Sequence, residues 1–477
     1  MKRCGYMTVY LALTFGVMIS LFLAVIEGAR RSTIRMHIEC CADMALDSAL
    51  AQYHREMLEQ YDLFFIDTSY GTGDPSFHRT EDWIFDYMEK NLRPGEEFSL
   101  PGIRDITGLS ATDVNLLRAG LATDDGGGVL KYHAVRYMKD VSGLSLAQRI
   151  LGLGEQAQGW QGQDVEGQWD EAEAALKEEI AHKKRLQDED WDGEIPETPS
   201  DAVRATRGEG ILGPAAQGMK LSGASIPDAS RPSKRKLNRG TGLFESKTAA
   251  DGLIDDGLFY AYIMEHCGYL GKEKENSALA YEVEYILQRQ CQDRENLKRT
   301  AQELLLIREA ANAAFLFGSG LRSEAAGAAN VIAALLLMPE IASAVETVIL
   351  FAWAYAESVK DVRILFQGGR VPLLKSEGEW NTPFSRLLTY RMHLDSYRPS
   401  ESGWSYGDYL GALLFLHGSE NAQQGLMDVM ESDIRRTPGN GEFRIDGLID
   451  GMEAQISVTS GFSGDFEITR IYEYERE

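Results

Sequence analysis

Arg308 and Glu309 in "LLLIREAAN", with Glu357, Asp361 and Arg363 in "WAYAESVKDVR", are charged side chains set in apolar company. Two carboxylates in such surroundings could form an acid/base pair or hold a metal. No Glu-x-x-His motif accompanies them and no histidine lies near them in the sequence. We therefore read them as interhelical ion pairs or as the solvent face of each helix, and assign no catalytic residue. His37, Cys40 and Cys41 recur at i, i+3 and i+4, a metal-like spacing. Three ligands on one exposed helix make a weak zinc site, so no metal is assigned either. "GEGILG" is a formal G-x-G-x-x-G at Gly208, Gly210 and Gly213, but a charged loop precedes it and Pro214 follows directly. A dinucleotide fingerprint must follow a strand and open a helix, so no cofactor is expected.

The 477 residues carry a net charge of -25 and 44% apolar side chains. That content can bury one or two sizeable cores. The acidity argues against an extended nucleic-acid surface, which needs clustered Lys and Arg. The one basic cluster, Arg231 to Gly240, reads as a solvated loop. Five cysteines are too few for a disulfide scaffold. Adjacent Cys40 and Cys41 read as small apolar residues at a packing face. If the region is exported, Cys267 and Cys291 are the pair that could close a disulfide.

These side chains must be positioned by elements, and the first is membranous. Tyr6 to Ile26 is an uncharged apolar span, roughly 31 Å as a helix, which matches the hydrocarbon thickness of a bilayer. A cleaved signal would have a shorter core and small residues at the cut, whereas Glu27 stands three residues before the only candidate, after Ala29. We expect a retained anchor. Positive residues flank both ends, so the positive-inside rule does not orient it. A large acidic domain behind a first apolar helix favours N-terminus inside and bulk outside.

The helical pattern continues past the membrane to about Gln60, giving a stalk of roughly 80 Å in all. Leu46, Leu50, Tyr53 and Met57 form one apolar stripe on it, an interaction face. "DLFFIDTSYG" reads as a short buried strand, a helix follows between Pro75 and Pro94, and Thr112 to Leu117 reads as a second strand. Asp124 and Asp125 suggest an N-cap for the next helix. From 151 to 248 Gly, Gln and acids dominate, and we expect a long, weakly packed linker with one helix. The chain then turns strongly helical. Its end alternates at Met452, Ala454, Ile456 and Val458, turns at "SGFSG", and alternates again, as a β-hairpin does.

The start of the chain resembles the TadE/TadG-like proteins of Tad (Flp) pilus assembly. The matching residues are Gly5 with "YMTV", the exit "IEGAR" with Glu27 and Arg30, and "CADMALDSAL" with Asp43. The resemblance implies a processing site at Gly5 and Tyr6, and pilin-like or Tad-apparatus partners. Where those helices carry a glutamate this chain has Tyr10, which points to an accessory rather than a major subunit. The remainder, through "QYDLFFID", "ENSALAYEVEYIL", "LLLIREAAN" and "WAYAESVKDVR", resembles an uncharacterised family of clostridial-type anchored proteins, with no implied activity.

The resulting expectation is an α+β, mostly α, single-pass cell-membrane protein. Residues 1–60 form the transmembrane helix and stalk, 61–150 an α+β segment, 151–248 the linker and 249–440 a helical region. Residues 441–477 form a hairpin that joins the N-terminal strands and closes a small sheet. The function expected is non-enzymatic: a structural or accessory component of a Tad-like pilus or surface-secretion apparatus. A tethered extracellular binding module is the alternative, and a tethered hydrolase a third.

Overall fold

The stretch from Cys4 to Leu50 contains no proline, and in the computed structural model it is one 47-residue helix, α1, about 70 Å long at 1.5 Å per residue. The structure describes residues 4–92, 108–187, 199–245, 247–398, 400–461 and 464–474. The helix ends where Tyr53 leaves it to bridge Ile66 and the His54 N–H donates to the Phe65 carbonyl. A second helix, α2 (Arg55–Tyr61), starts there with His54 Nδ1 accepting from the Met57 N–H. The stalk expected to run unbroken to Gln60 is therefore broken after Leu50, because the backbone of Tyr53 and His54 pairs with Ile66 and Phe65.

The strands are β1 (Ile66–Asp67), β2 (Leu109–Leu121), β3 (Leu448–Ser460) and β4 (Gly464–Glu473). The helices after α2 are α3 (Phe77–Leu92), α4 (Gly128–Asp140), α5 (Leu144–Gln158), α6 (Val165–Gln187), α7 (Pro199–Arg207) and α8 (Leu212–Ala215). There follow α9 (Leu253–His266), α10 (Glu282–Gln288), α11 (Asp293–Gly318), α12 (Arg322–Leu335), α13 (Ala342–Phe366), α14 (Tyr406–His417) and α15 (Ser419–Ile434). Asp124 and Asp125, expected to cap α4, form a short 3-10 turn instead, and the Asp124 carboxylate accepts from the N–H groups of Leu121, Gly240 and Gly242.

The chain divides into two units. The first combines residues 1–130, 237–249 and 437–477 around a four-stranded antiparallel sheet. Its centre is β3, paired along one edge with β2 and along the other with β1 and β4. The expected closed sheet is not what forms. Since β2 and β4 each pair only with β3, the first strand of the hairpin is the middle of an open sheet and its second strand is one of the outer edges. The alternation anticipated in the hairpin is present, with Met452, Ala454, Ile456 and Val458 all buried. Its turn at 462–463 lies outside the described residues, as does Pro94.

The second unit, residues 131–236 and 250–436, is helical. Every residue of α13 from Val348 to Phe366 is buried, its charged ones included, so this stretch has no solvent face. Helices α6, α7, α11 and α12 pack round it. The expected linker is largely part of these units: α6 is the one helix expected in it, but α7 and α8 are helices as well, and the strap 237–249 lies in the first unit. There the Thr241 N–H donates to the Ala119 carbonyl, and Lys247 is buried between Asp450 (2.7 Å) and Glu473 (3.1 Å). Residues 188–198 of that segment lie outside the described ones.

Candidate functional site

Along α1 the two halves have opposite environments. Tyr6 is 84% exposed and Tyr10 68%, and the large apolar side chains between Tyr6 and Ile26 are all uncovered. Among the described residues α1 carries the single unbent helix long and apolar enough to cross a membrane. Gly5 lies within its first turns. From Ile34 the same helix enters the core of the first unit, where Ile38, Cys41, Ala42, Ala45, Leu46 and Ala49 are buried against α3 and the sheet. Arg470 on β4 reaches Asp43 (3.3 Å) and Glu39 (3.6 Å), and the Tyr474 hydroxyl donates to the Leu50 carbonyl.

The stalk stripe is thus occupied by the chain itself. Leu46 and Met57 are fully buried, Leu50 is half-buried against the same core, and Tyr53 keeps 37% of its surface. Cys41 and His37 stand 3.9 Å apart while Cys40 is exposed, and burial pushes the Cys41 thiol up, helped by Cys40. Among the described residues no group of three or more His, Cys, Asp or Glu is placed to hold a metal. Cys267, buried at the end of α9, and Cys291, in the loop before α11, are free thiols, so the disulfide considered for them is not formed.

In the second unit the flagged charges pair between segments. Arg308 on α11 binds Asp361 on α13 at 2.9 Å, and Lys375 lies against both Asp361 (2.5 Å) and Glu357, with every one of these side chains at most 1% exposed. Asn312 donates to Asp361 and to Ser358. Burial alone would raise the Asp361 carboxyl, but Lys375 and Arg308 beside it hold it below its ordinary range. Glu309 pairs with Arg207 at 2.8 Å and Arg363 with Asp395 at 2.8 Å. Of the readings left open, ion pairing is the one that forms, between helices for Arg308 and Glu309 and from α13 to irregular segments for Glu357 and Arg363, and the solvent-face reading fails for these residues.

Arg308 does more than pair. Its guanidinium also donates to the carbonyls of Pro372 (2.8 Å) and Leu373 (2.7 Å), and Tyr409 donates to the Val371 carbonyl at 3.2 Å. The cluster therefore fixes the irregular segment 371–375. Unpaired carbonyls in a buried position are costly, and a fixed cation with five donors satisfies several at once.

A second group of acids was not singled out from the sequence. The loop 268–281 is held by carboxylates: Glu282 accepts from the Gly268 N–H (2.5 Å), Glu284 from Leu270 (3.0 Å), Asp433 from Ala278 (2.7 Å) and Asp293 from Ala280 (2.9 Å). Burial, then the neighbouring Asp433, pushes Glu282 well above the carboxylate range, and burial raises Glu284 to about 7. The available signal was the pair of acids among apolar residues in "AYEVEYIL". The basic cluster read as a solvated loop is likewise packed in part: Arg231 is buried, Ser233 donates to Asp428 and Arg235 forks onto Glu431 at 2.6 and 2.7 Å. "GEGILG" follows the end of α7 and runs into the four-residue α8, so no strand precedes it as a nucleotide fingerprint requires.

No curated protein and no solved structure matches the chain. A family model does match, over residues 189–460, a region that takes in most of the helical unit and β3 and leaves out α1. As the match covers more than half of the chain, this protein belongs to that family, described as a family of unknown function (DUF5702).

Proposed function

We propose that the protein is a membrane-anchored, non-enzymatic structural component of a Tad-like pilus or surface-secretion apparatus, crossing the bilayer once with its N-terminus inside and its folded units outside. The observation that carries this reading is the continuity of α1, uncovered from Tyr6 to Ile26 and built into a core from Ile34. A helix shared in this way couples movement or contact in the bilayer to the folded unit without a hinge. Support for a partner helix comes from Thr8, Ala12, Gly16, Ser20, Ala24 and Gly28. Small residues at every fourth position let helices approach closely in lipid. Tyr10, in place of a glutamate, agrees with an accessory role, since no buried carboxylate is there to pair with a neighbour's amine.

The test is co-purification from membranes with other pilin-like proteins, compared between wild type and Gly16→Leu. Nothing lies within 4 Å of the position a Cβ would take at Gly16, so the substitution leaves the chain's own packing unchanged. Loss of partners in the variant supports the reading. Wild-type protein purified alone under conditions that preserve the apparatus contradicts it.

A further inference from the structure

The segment that Arg308 fixes forms the wall of two adjoining cavities in the helical unit, of about 400 and 250 Å³, with Pro372 lining both. The larger falls within the roughly 300–1,000 Å³ usual for small-molecule sites. Trp160 and Trp404 line it, each half-buried, over Leu373, with the exposed Gln156 and Ser402 beside them. Trp404 is held there by a two-way backbone bridge with Val371 (2.9 and 3.0 Å). That bridge needs glycine at 403, where a Cβ would come within 2.6 Å of the Pro372 nitrogen and the Val371 carbonyl carbon.

The smaller cavity is polar. Arg370, Arg398, Glu379, Glu401 and Asn381 stand round it, and Lys375 on its wall is already paired with Glu357 and Asp361. Two guanidinium groups and two carboxylates line it, so the rim carries planar donors and acceptors of both kinds with balanced charge. A phosphate or an acidic chain would require an excess of cations. An extended peptide would seek free backbone donors and acceptors, and the N–H and C=O groups of Val371 and Trp404 are already spent on each other.

We propose that this cleft binds an uncharged oligosaccharide. Indole faces take the C–H face of a pyranose ring, their apolar surface offering contact at low entropic cost. The neighbouring hydroxyls then meet the amide, guanidinium and carboxylate groups of the smaller cavity. The buried cluster of Arg308, Asp361, Lys375 and Glu357 holds the wall in place before the ligand arrives, which is what weak, shape-dependent recognition needs.

The test uses the full chain in a lipid nanodisc, so that no glycoside detergent competes. Chitotetraose, cellotetraose and maltotetraose are titrated by calorimetry and by tryptophan fluorescence. At least one binds with a fluorescence change, and Trp160→Ala and Trp404→Ala each weaken it tenfold or more. Because Trp404 packs on Tyr409 with ring centres 5.0 Å apart, Trp160→Ala and Gln156→Ala are the variants that leave that contact intact, and circular dichroism verifies folding in all three. Failure of all three saccharides to bind, or binding unchanged in both tryptophan variants, overturns the proposal. Enrichment of a hexapeptide library on the cleft in place of the saccharides overturns it as well.

Discussion

At the scale of single residues, charge in this protein is used to hold backbone in place. Arg308 serves Asp361 and two carbonyls of the segment 371–375 at once. Replacing one partner of a buried pair leaves the other charge uncompensated, at a cost of roughly 3–5 kcal/mol. Arg308→Met should lower the stability of the helical unit by about that amount in urea unfolding followed by hydrogen exchange across α11 and α13. A loss under about 1 kcal/mol would show the cluster to be dispensable. Glu284 makes a second prediction, through pH. Its folded pKa of about 7 lies above the ordinary value of 4.5, so folding favours its protonated form. The stability it contributes is full below the ordinary value and is lost as pH rises through about 7. Glu282 shifts in the same direction. The thermal midpoint should therefore fall between pH 5 and 8, and Glu284→Gln should flatten that slope; an unchanged slope in the variant would refute the assignment. The sequence carried part of this. Arg308 and Asp361 stood out against apolar neighbours, whereas Glu282 and Asp433, 151 positions apart in the chain, share a hydrogen bond that no local pattern announces.

At the scale of elements, proline, glycine and periodicity marked most helices, and alternation marked the hairpin. What they could not mark was long-range register. The closed sheet was inferred from strands that needed partners, and the partner of both β2 and β4 is β3, which leaves the sheet open. The segment 199–248 looked unpacked because its anchors are isolated polar residues, such as Ser233 on Asp428 and Lys247 on Asp450, and single anchors have no period. It should resist limited proteolysis where a loose linker would be cut at once. The stripe on α1 was legible, and what it touches was not. With Leu46 fully buried, Leu46→Ala should destabilise the first unit by roughly 2–5 kcal/mol, read as a lowered unfolding midpoint of the full chain in nanodiscs. An unchanged midpoint together with loss of a partner protein would instead make it a surface contact.

At the scale of the whole molecule, the chain joins one uncovered apolar helix to a small sheet and a larger helical unit, and the family match begins only after the first of these. The reading as an anchored component therefore stands on α1 itself. Ile34, Ile38 and Leu46 lie in the core of the first unit, while a cut after Ala29 would remove the apolar span and leave those residues in place. Retention of the span is therefore independent of the folding of the first unit. N-terminal sequencing of the native protein after separation of membrane and soluble fractions decides it most directly. The expected result is recovery in the membrane fraction with Tyr6 to Ile26 still present, whether or not the chain has been processed at Gly5. Recovery as a soluble protein beginning near Arg30 would contradict it.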